Sequence, residues 1–191
     1  MLKTVSLSKQ PSIITESNTN KIVNDFSAAL AYSDIDTLRK VISPKGLVII
    51  RNFGSGNGTR GKDVRTLYSA KDIPNDLKFP VSEETPVDLK WLFSGTAKKA
   101  PNVNSKNDAK QKPFRFLDNT TSNTAGPPTQ EIRDKCSALT SDPTFEPKAF
   151  VLGNELVLTE SELADDIPDG GWAVFEKDGD RYVLRAIIDL R

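Results

Sequence analysis

The chain of 191 residues carries no histidine, a single cysteine, and Lys plus Arg equal in number to Asp plus Glu at 26 each. Histidine is the side chain that titrates nearest neutrality and the commonest metal ligand, so its absence excludes Ser-His, Cys-His and His-metal chemistry within the chain. Balanced charge leaves no global field to steer the protein to nucleic acid or anionic lipid, one cysteine permits no internal disulfide, and the length fits one domain.

The opening MLKTVSLSKQPSIITESNTN lacks the roughly 7–15-residue apolar core of a signal peptide, and no stretch approaches the roughly 18 apolar residues of a membrane span. Residues 1–19 read as a polar tail ahead of a single folded body over 20–191; a secreted or periplasmic protein of this sequence would have lost a leader before residue 1. A helix is expected from about Asn20, because Ile22, Val23, Phe26, Ala29 and Leu30 recur at helical spacing. Ser33 with Asp36 three residues later has the form of a capping box, which predicts a second short helix carrying Ile35, Leu38, Val41 and Ile42. Pro44 and Gly46 end it. GLVIIRNF, a β-branched run bounded by glycine, predicts a buried strand.

GSGNGTRG follows, with four of the eleven glycines in eight residues, and reads as a loop. Alternation of Val87, Leu89 and Trp91 in VDLKWLF predicts a strand. The next stretch, SGTAKKAPNVNSKNDAKQKP over 94–113, holds five Lys, one Asp and no aromatic, and is expected to be a solvated insertion that extends to about residue 128 around the apolar island FRFL. Such a basic loop lacks the stacking residues of a single-strand nucleic-acid groove, so no nucleic-acid partner is expected. Pro128 and Thr129 can open a helix with Ile132, Cys136 and Leu139 inward, which makes Cys136 a small buried residue. AFVLGNELVL predicts a hairpin with positive φ at both Gly153 and Asn154, and the acidic ESELADDIPD a connection. GGWAVFEKDGDRYVLRAIIDLR predicts a long terminal hairpin about Asp178-Gly179. Strict alternation there puts Trp172 with Val174 on one face, and Tyr182, Leu184, Ala186, Ile188 and Leu190 together on one face of the returning strand. The fold class is therefore α+β: N-terminal helices packed on a curved, mainly antiparallel sheet that ends in a C-terminal β-hairpin.

The segments NDFSAALAYSDIDTLRKVISPKGLVII and GWAVFEKDGDRYVLRAIID together resemble the opening and closing of nuclear-transport-factor-2-like domains, the group that includes polyketide-cyclase-like enzymes. The resemblance implies a cone of sheet and helix that can enclose a small-molecule pocket, act in catalysis or form dimer contacts. Residues 94–128 depart from it, and the histidine often present in catalytic members is missing, so no catalytic residue is carried over.

The candidate binding site is RNFGSGNGTRG, where backbone N–H groups of Gly54, Gly56, Asn57 and Gly58, flanked by Arg51 and Arg60, can form a nest for phosphate or carboxylate. It matches neither a P-loop nor a dinucleotide fingerprint. Ser6-Leu7-Ser8-Lys9 fits S-x-x-K but has no S-D-N or K-T-G partner, and Asn57-Gly58-Thr59 and Asn119-Thr120-Thr121 match the glycosylation pattern. Glu160, Glu162, Asp165, Asp166 and Asp169 lack the spacing of a calcium loop, so no metal and no cofactor is assigned. The expected function is that of a non-catalytic binding domain for a protein partner or small ligand, recognised through sheet face and loops; a bacterial, toxin-neutralising immunity protein fits this class. The alternative is a pocket protein or acid-base enzyme using Asp, Glu or Tyr, with Arg51 and Arg60 orienting an anion. Oligomeric state is left open.

Overall fold

The computed structural model describes residues 16–52, 63–81, 85–105, 114–117, 131, 146–162 and 169–189. Two helices lead. Helix α1 spans Glu16–Tyr32, beginning ahead of the expected Asn20, and buries Val23, Phe26, Ala29 and Leu30 completely. It ends where Ser33 takes a left-handed φ of 53°, with Asp34 N–H donating to the Ala29 carbonyl at 2.9 Å and Ser33 N–H to Leu30 at 3.4 Å. Those two bonds form a Schellman motif, with serine where glycine is usual. Ser33 is thereby consumed as the terminator of α1, and the cap of α2 (Ile35–Val41) is Asp34 instead, whose carboxylate accepts from Thr37 N–H at 3.0 Å.

A seven-stranded sheet follows the order β2-β1-β9-β8-β7-β6-β5. β1 (Leu47–Asn52) runs antiparallel to β2 (Asp63–Tyr68) and parallel to β9 (Arg181–Asp189). β9, β8 (Asp169–Asp178), β7 (Glu155–Glu162) and β6 (Lys148–Leu152) form an antiparallel meander, and β5 (Val103–Ser105) adds to β6 in parallel. β3 (Lys78–Phe79) and β4 (Val87–Asp88) pair as a separate small sheet. The domain is α+β with a mainly antiparallel sheet, as its hydrophobic periods require.

Both hairpins form where expected, but the turns differ in detail. Gly153 and Gly179 have φ of 62° and 66°, whereas neither Asn154 nor Asp180 has a positive φ. Positive φ at the first central position alone is the pattern of a II′ turn, and it places the terminal turn at Gly179-Asp180. The faces of β9 also differ from strict alternation. Pairing shifts between Val174↔Ala186 and Phe175↔Leu184, which leaves Arg185 as an extra residue. Tyr182, Leu184 and Ile187 consequently face the helices, while Ala186 and Ile188 join Trp172 and Val174 on the other side. One inserted residue exchanges the faces of everything beyond it. Leu190 lies outside the described residues.

Between helices and sheet, Phe26 meets Phe93 and Phe175 edge-on at 5.4 and 5.7 Å between ring centroids. Each such fully buried ring contributes roughly 1.5–3 kcal/mol by its removal from water. The opposite face of the sheet is also apolar, with Trp172, Val174 and Val157 against Phe114, Phe116 and Leu117 of the FRFL island.

Two segments depart from their expected form. VDLKWLF is strand only at Val87–Asp88; Leu89–Leu92 is a helical turn, α3, because the Asp88 carboxylate accepts from Lys90 N–H at 3.0 Å and Trp91 N–H at 3.2 Å. Leu89, Leu92 and Phe93 are then buried at i, i+3 and i+4, and Trp91 points outward at 56% exposure. Within the expected insertion, Ser94–Lys98 forms α4 and Val103–Ser105 forms β5, so the polar text up to residue 105 belongs to the body. A buried Thr96 and the ladder to β6 hold it there. The remaining 106–113, and the expected helix at 128–139 apart from helical Glu131, lie outside the described residues.

Candidate functional site

Three segments far apart in the chain meet around a cleft of about 490 Å³. Helix α1 brings Asn18, Lys21, Ile22 and Asp25, which helical periodicity aligns in one stripe. Helix α2 brings Thr37, Lys40 and Val41, and the terminal hairpin brings Asp180, Arg181 and Tyr182. The end of α2 is tied to β9 by a parallel bridge between Ile42 and Leu184 and by Ser43 N–H on the Leu184 carbonyl at 2.8 Å. That tie holds Val41 beside Tyr182. The floor is apolar, made of half-buried Ile22 with Val41 and Tyr182 at 5% and 4% exposure. The rim is charged.

The rim charges are not equally committed. Lys21 holds Asp25 at 2.5 Å, and Arg181 leans to Asp178 at 3.6 Å. Thr37 engages both oxygens of Asp34, its N–H at 3.0 Å and its hydroxyl at 2.6 Å, and these bonds lower the Asp34 carboxyl below its ordinary value. Lys40 has no carboxylate within 4.0 Å among the described residues. On the floor, burial raises the Tyr182 phenol above its ordinary value and the charge of Glu155 raises it further, so it stays neutral near pH 7. Its hydroxyl makes no hydrogen bond to another described residue.

Of the residues expected to form an anion nest, only Arg51 is described; Gly54, Gly56, Asn57, Gly58 and Arg60 lie outside the described residues. Arg51 is turned into the protein, at 5% exposure. Its Nε and Nη2 both donate to Asp189 Oδ2, at 3.0 and 2.8 Å, and Nη1 donates to the Thr85 carbonyl. Asp189 is fully buried beside it in parallel register on β9. The pair joins two neighbouring strands, which gives this arginine a role in the fold that its glycine-rich surroundings did not announce.

Three further charged residues, Glu160, Glu176 and Arg185, also turn out to be anchors. Glu160, expected in a solvated acidic connection, lies on β7 and accepts from the N–H groups of Gly95 and Thr96 and from the Thr96 hydroxyl, the last two at 2.9 Å. A carboxylate at the first turn of α4 satisfies donors that the helix leaves open. On the far side of the sheet, Glu176 accepts from Ser43 Oγ at 2.7 Å and Lys45 Nζ at 3.1 Å, while buried Arg185 donates from Nη1 to the Gly46 carbonyl at 2.9 Å. Burial lowers the Arg185 guanidinium from its ordinary value and the Glu176 charge opposes that shift. These bonds tie the α2–β1 turn to the hairpin.

Among the described residues no group of three or more His, Cys, Asp or Glu side chains comes together to hold a metal, and no helix is long and apolar enough to cross a membrane. The cleft residues escaped the sequence reading because Lys21, Lys40 and Arg181 look like ordinary solvated positions on amphipathic elements. The one legible signal was Ile22 and Val41 at the flank of each apolar stripe. Comparison of the chain with protein-family models, with curated proteins and with solved structures finds no match.

Proposed function

We propose that this protein is a non-catalytic binding domain whose ligand is recognised in the cleft between α1, α2 and the β8–β9 hairpin. The observation that carries this reading is the cleft itself: about 490 Å³, an apolar floor of Ile22, Val41 and Tyr182, and a charged rim. Sites for small ligands combine this scale of volume, roughly 300–1,000 Å³, with an apolar lining and a few convergent polar groups. The inward Phe26, followed by α2 with its Asp34 cap and by β1, is the order that the resemblance to nuclear-transport-factor-2-like cones rests on. The interior space such a cone offers is taken up here by Phe26, Phe93 and Phe175, which favours the outer cleft as the place of binding.

A second reading, recognition of a protein partner of the toxin-neutralising kind, is favoured by one observation. Tyr32 and Trp91 are 83% and 56% exposed, and Lys90 Nζ donates to Ser33 Oγ at 3.0 Å, which draws their two segments together on the surface. Exposed Trp and Tyr are the residues that most often anchor protein interfaces. Both faces of the sheet are covered by apolar clusters, so this patch, rather than the sheet face, would make the contact. Native mass spectrometry of the protein recovered gently from its own source extract separates the two. A small-mass adduct lost on Ile22→Gln substitution supports the cleft, whereas a stoichiometric polypeptide lost on Trp91→Ala overturns it.

A further inference from the structure

We infer that the ligand of the cleft is a small amphipathic monoanion, held by Lys40 at its charged end and by Ile22, Val41 and Tyr182 along its apolar body. The inference rests on the binding-cleft reading and adds the chemical class of the ligand. Its ground is charge complementarity. The cleft is lined by three cations, Lys21, Lys40 and Arg181, against two carboxylates, Asp25 and Asp180. Lys21 is occupied by Asp25 at 2.5 Å and Arg181 shares the turn with Asp178 at 3.6 Å. Asp36, four residues before Lys40 on α2, is paired with Arg39 at 3.1 Å, and the capping Asp34, which the Lys40 charge reaches, has both oxygens engaged by Thr37. The one cation of the cleft left without a carboxylate among the described residues therefore stands over an apolar floor. A carboxylate or sulfonate complements it, and a second anionic charge would meet Asp25 and Asp180 across the rim.

Tyr182 contributes to the apolar floor, and the charge of Glu155 that raises its phenol disfavours an anionic oxygen at that hydroxyl, which leaves Lys40 as the place for the charged end. Of the rim carboxylates, Asp25 is held by Lys21 at 2.5 Å and Asp180 directly precedes Arg181, so the three cations and two carboxylates leave the cleft one net positive charge.

The test is a fluorescence titration with two probes that share an aromatic body: the monoanion anilinonaphthalenesulfonate and the uncharged phenylnaphthylamine. Both are titrated into the full chain and into Lys40→Glu, Lys40→Arg, Ile22→Gln and the control Lys71→Glu, with thermal melting to show that each variant is folded. Lys40→Glu is expected to weaken the sulfonate probe about five- to tenfold, consistent with reversing one partly exposed charge contact, and to leave the uncharged probe within about twofold. Lys40→Arg and Lys71→Glu should leave both probes unchanged, and Ile22→Gln should weaken both. If Ile22→Gln weakens both probes and Lys40→Glu affects neither, the cleft binds but the anion inference is overturned. Failure of Ile22→Gln to affect either probe overturns the cleft reading and this inference together. No saturable binding of the sulfonate probe, with the uncharged probe still bound and still sensitive to Ile22→Gln, overturns the inference alone.

Discussion

Replacing Asp189 by alanine removes the carboxylate from a guanidinium that stays inside the protein. Arg51 is 5% exposed and Asp189 is fully buried, so water cannot stand in for the lost carboxylate without opening the sheet between β1 and β9. Two N–H groups, at 3.0 and 2.8 Å, lose their acceptor, while the contact of Nη1 with the Thr85 carbonyl persists. Breaking a buried pair by deleting one member costs about 3–5 kcal/mol, because the remaining charge keeps its desolvation penalty. For a chain of this size each kcal/mol lowers the melting temperature by about 2–4 °C, which gives a drop of about 6–20 °C. The assay is urea unfolding followed by the fluorescence of buried Trp172, with calorimetry for the melting temperature. The double variant Arg51→Met, Asp189→Leu removes both charges and is expected to lie within about 2 kcal/mol of the wild type, in either direction. An Asp189→Ala cost below about 1 kcal/mol, or a double variant worse than the single one, would refute the argument that desolvation of the arginine sets the penalty.

Other substitutions probe the joints that hold the site in place. A Cβ at residue 171 would lie 2.3 Å from Leu92 Cγ, so Gly171→Ala should cost about 1–3 kcal/mol in chemical denaturation, and Leu92→Ala in the same chain should recover part of it; a neutral Gly171→Ala contradicts the packing of α3 on β8. Glu160→Gln weakens the acceptor for Gly95 N–H and for the Thr96 N–H and hydroxyl, with an expected loss of about 1–3 kcal/mol, and a loss under about 0.5 kcal/mol would show that the carboxylate charge is immaterial there. Alkaline titration tests Tyr182. The folded phenol keeps its proton to a higher pH than the unfolded one, so its share of stability is complete below the ordinary value of 10.0 and is lost as pH rises through the folded value. Tyr182→Phe should flatten that loss, leaving the part due to Tyr68, whose phenol burial also raises; an unchanged alkaline slope argues against burial of the Tyr182 hydroxyl.

Local chemistry made much of the fold legible. The β-branched run of β1, the glycine at each hairpin turn and the helical spacing of Val23, Phe26 and Leu30 act over a few residues, and each element formed near its expected place. Errors arose where a distant partner overrode a local signal. VDLKWLF alternates like a strand, but burial of Leu89, Leu92 and Phe93 in the core shared with α1 and the sheet favours a helical turn, which Asp88 within the segment then caps. Ser94–Lys98 reads as solvated loop, yet Glu160, more than sixty residues away, captures its first N–H groups, and Ser27 Oγ bonds the Thr96 carbonyl at 2.5 Å. Nothing within the segment itself reports either partner.

Composition and period alone determined the absence of histidine chemistry, the α+β class and the position of the terminal hairpin, since these depend on residue type and on contacts between near neighbours. Tertiary structure decided the rest. The extra residue at Arg185 chose which side chains of β9 face the helices, and parallel pairing of β1 with β9 turned Arg51 from a surface expectation into a buried partner of Asp189. The cleft exists only because residues near 20, 40 and 180 converge on the end of β9. Whether a charged side chain is solvated, paired or left for a ligand depends on which strand lies beside it, and that neighbour is set by the packing of the whole sheet.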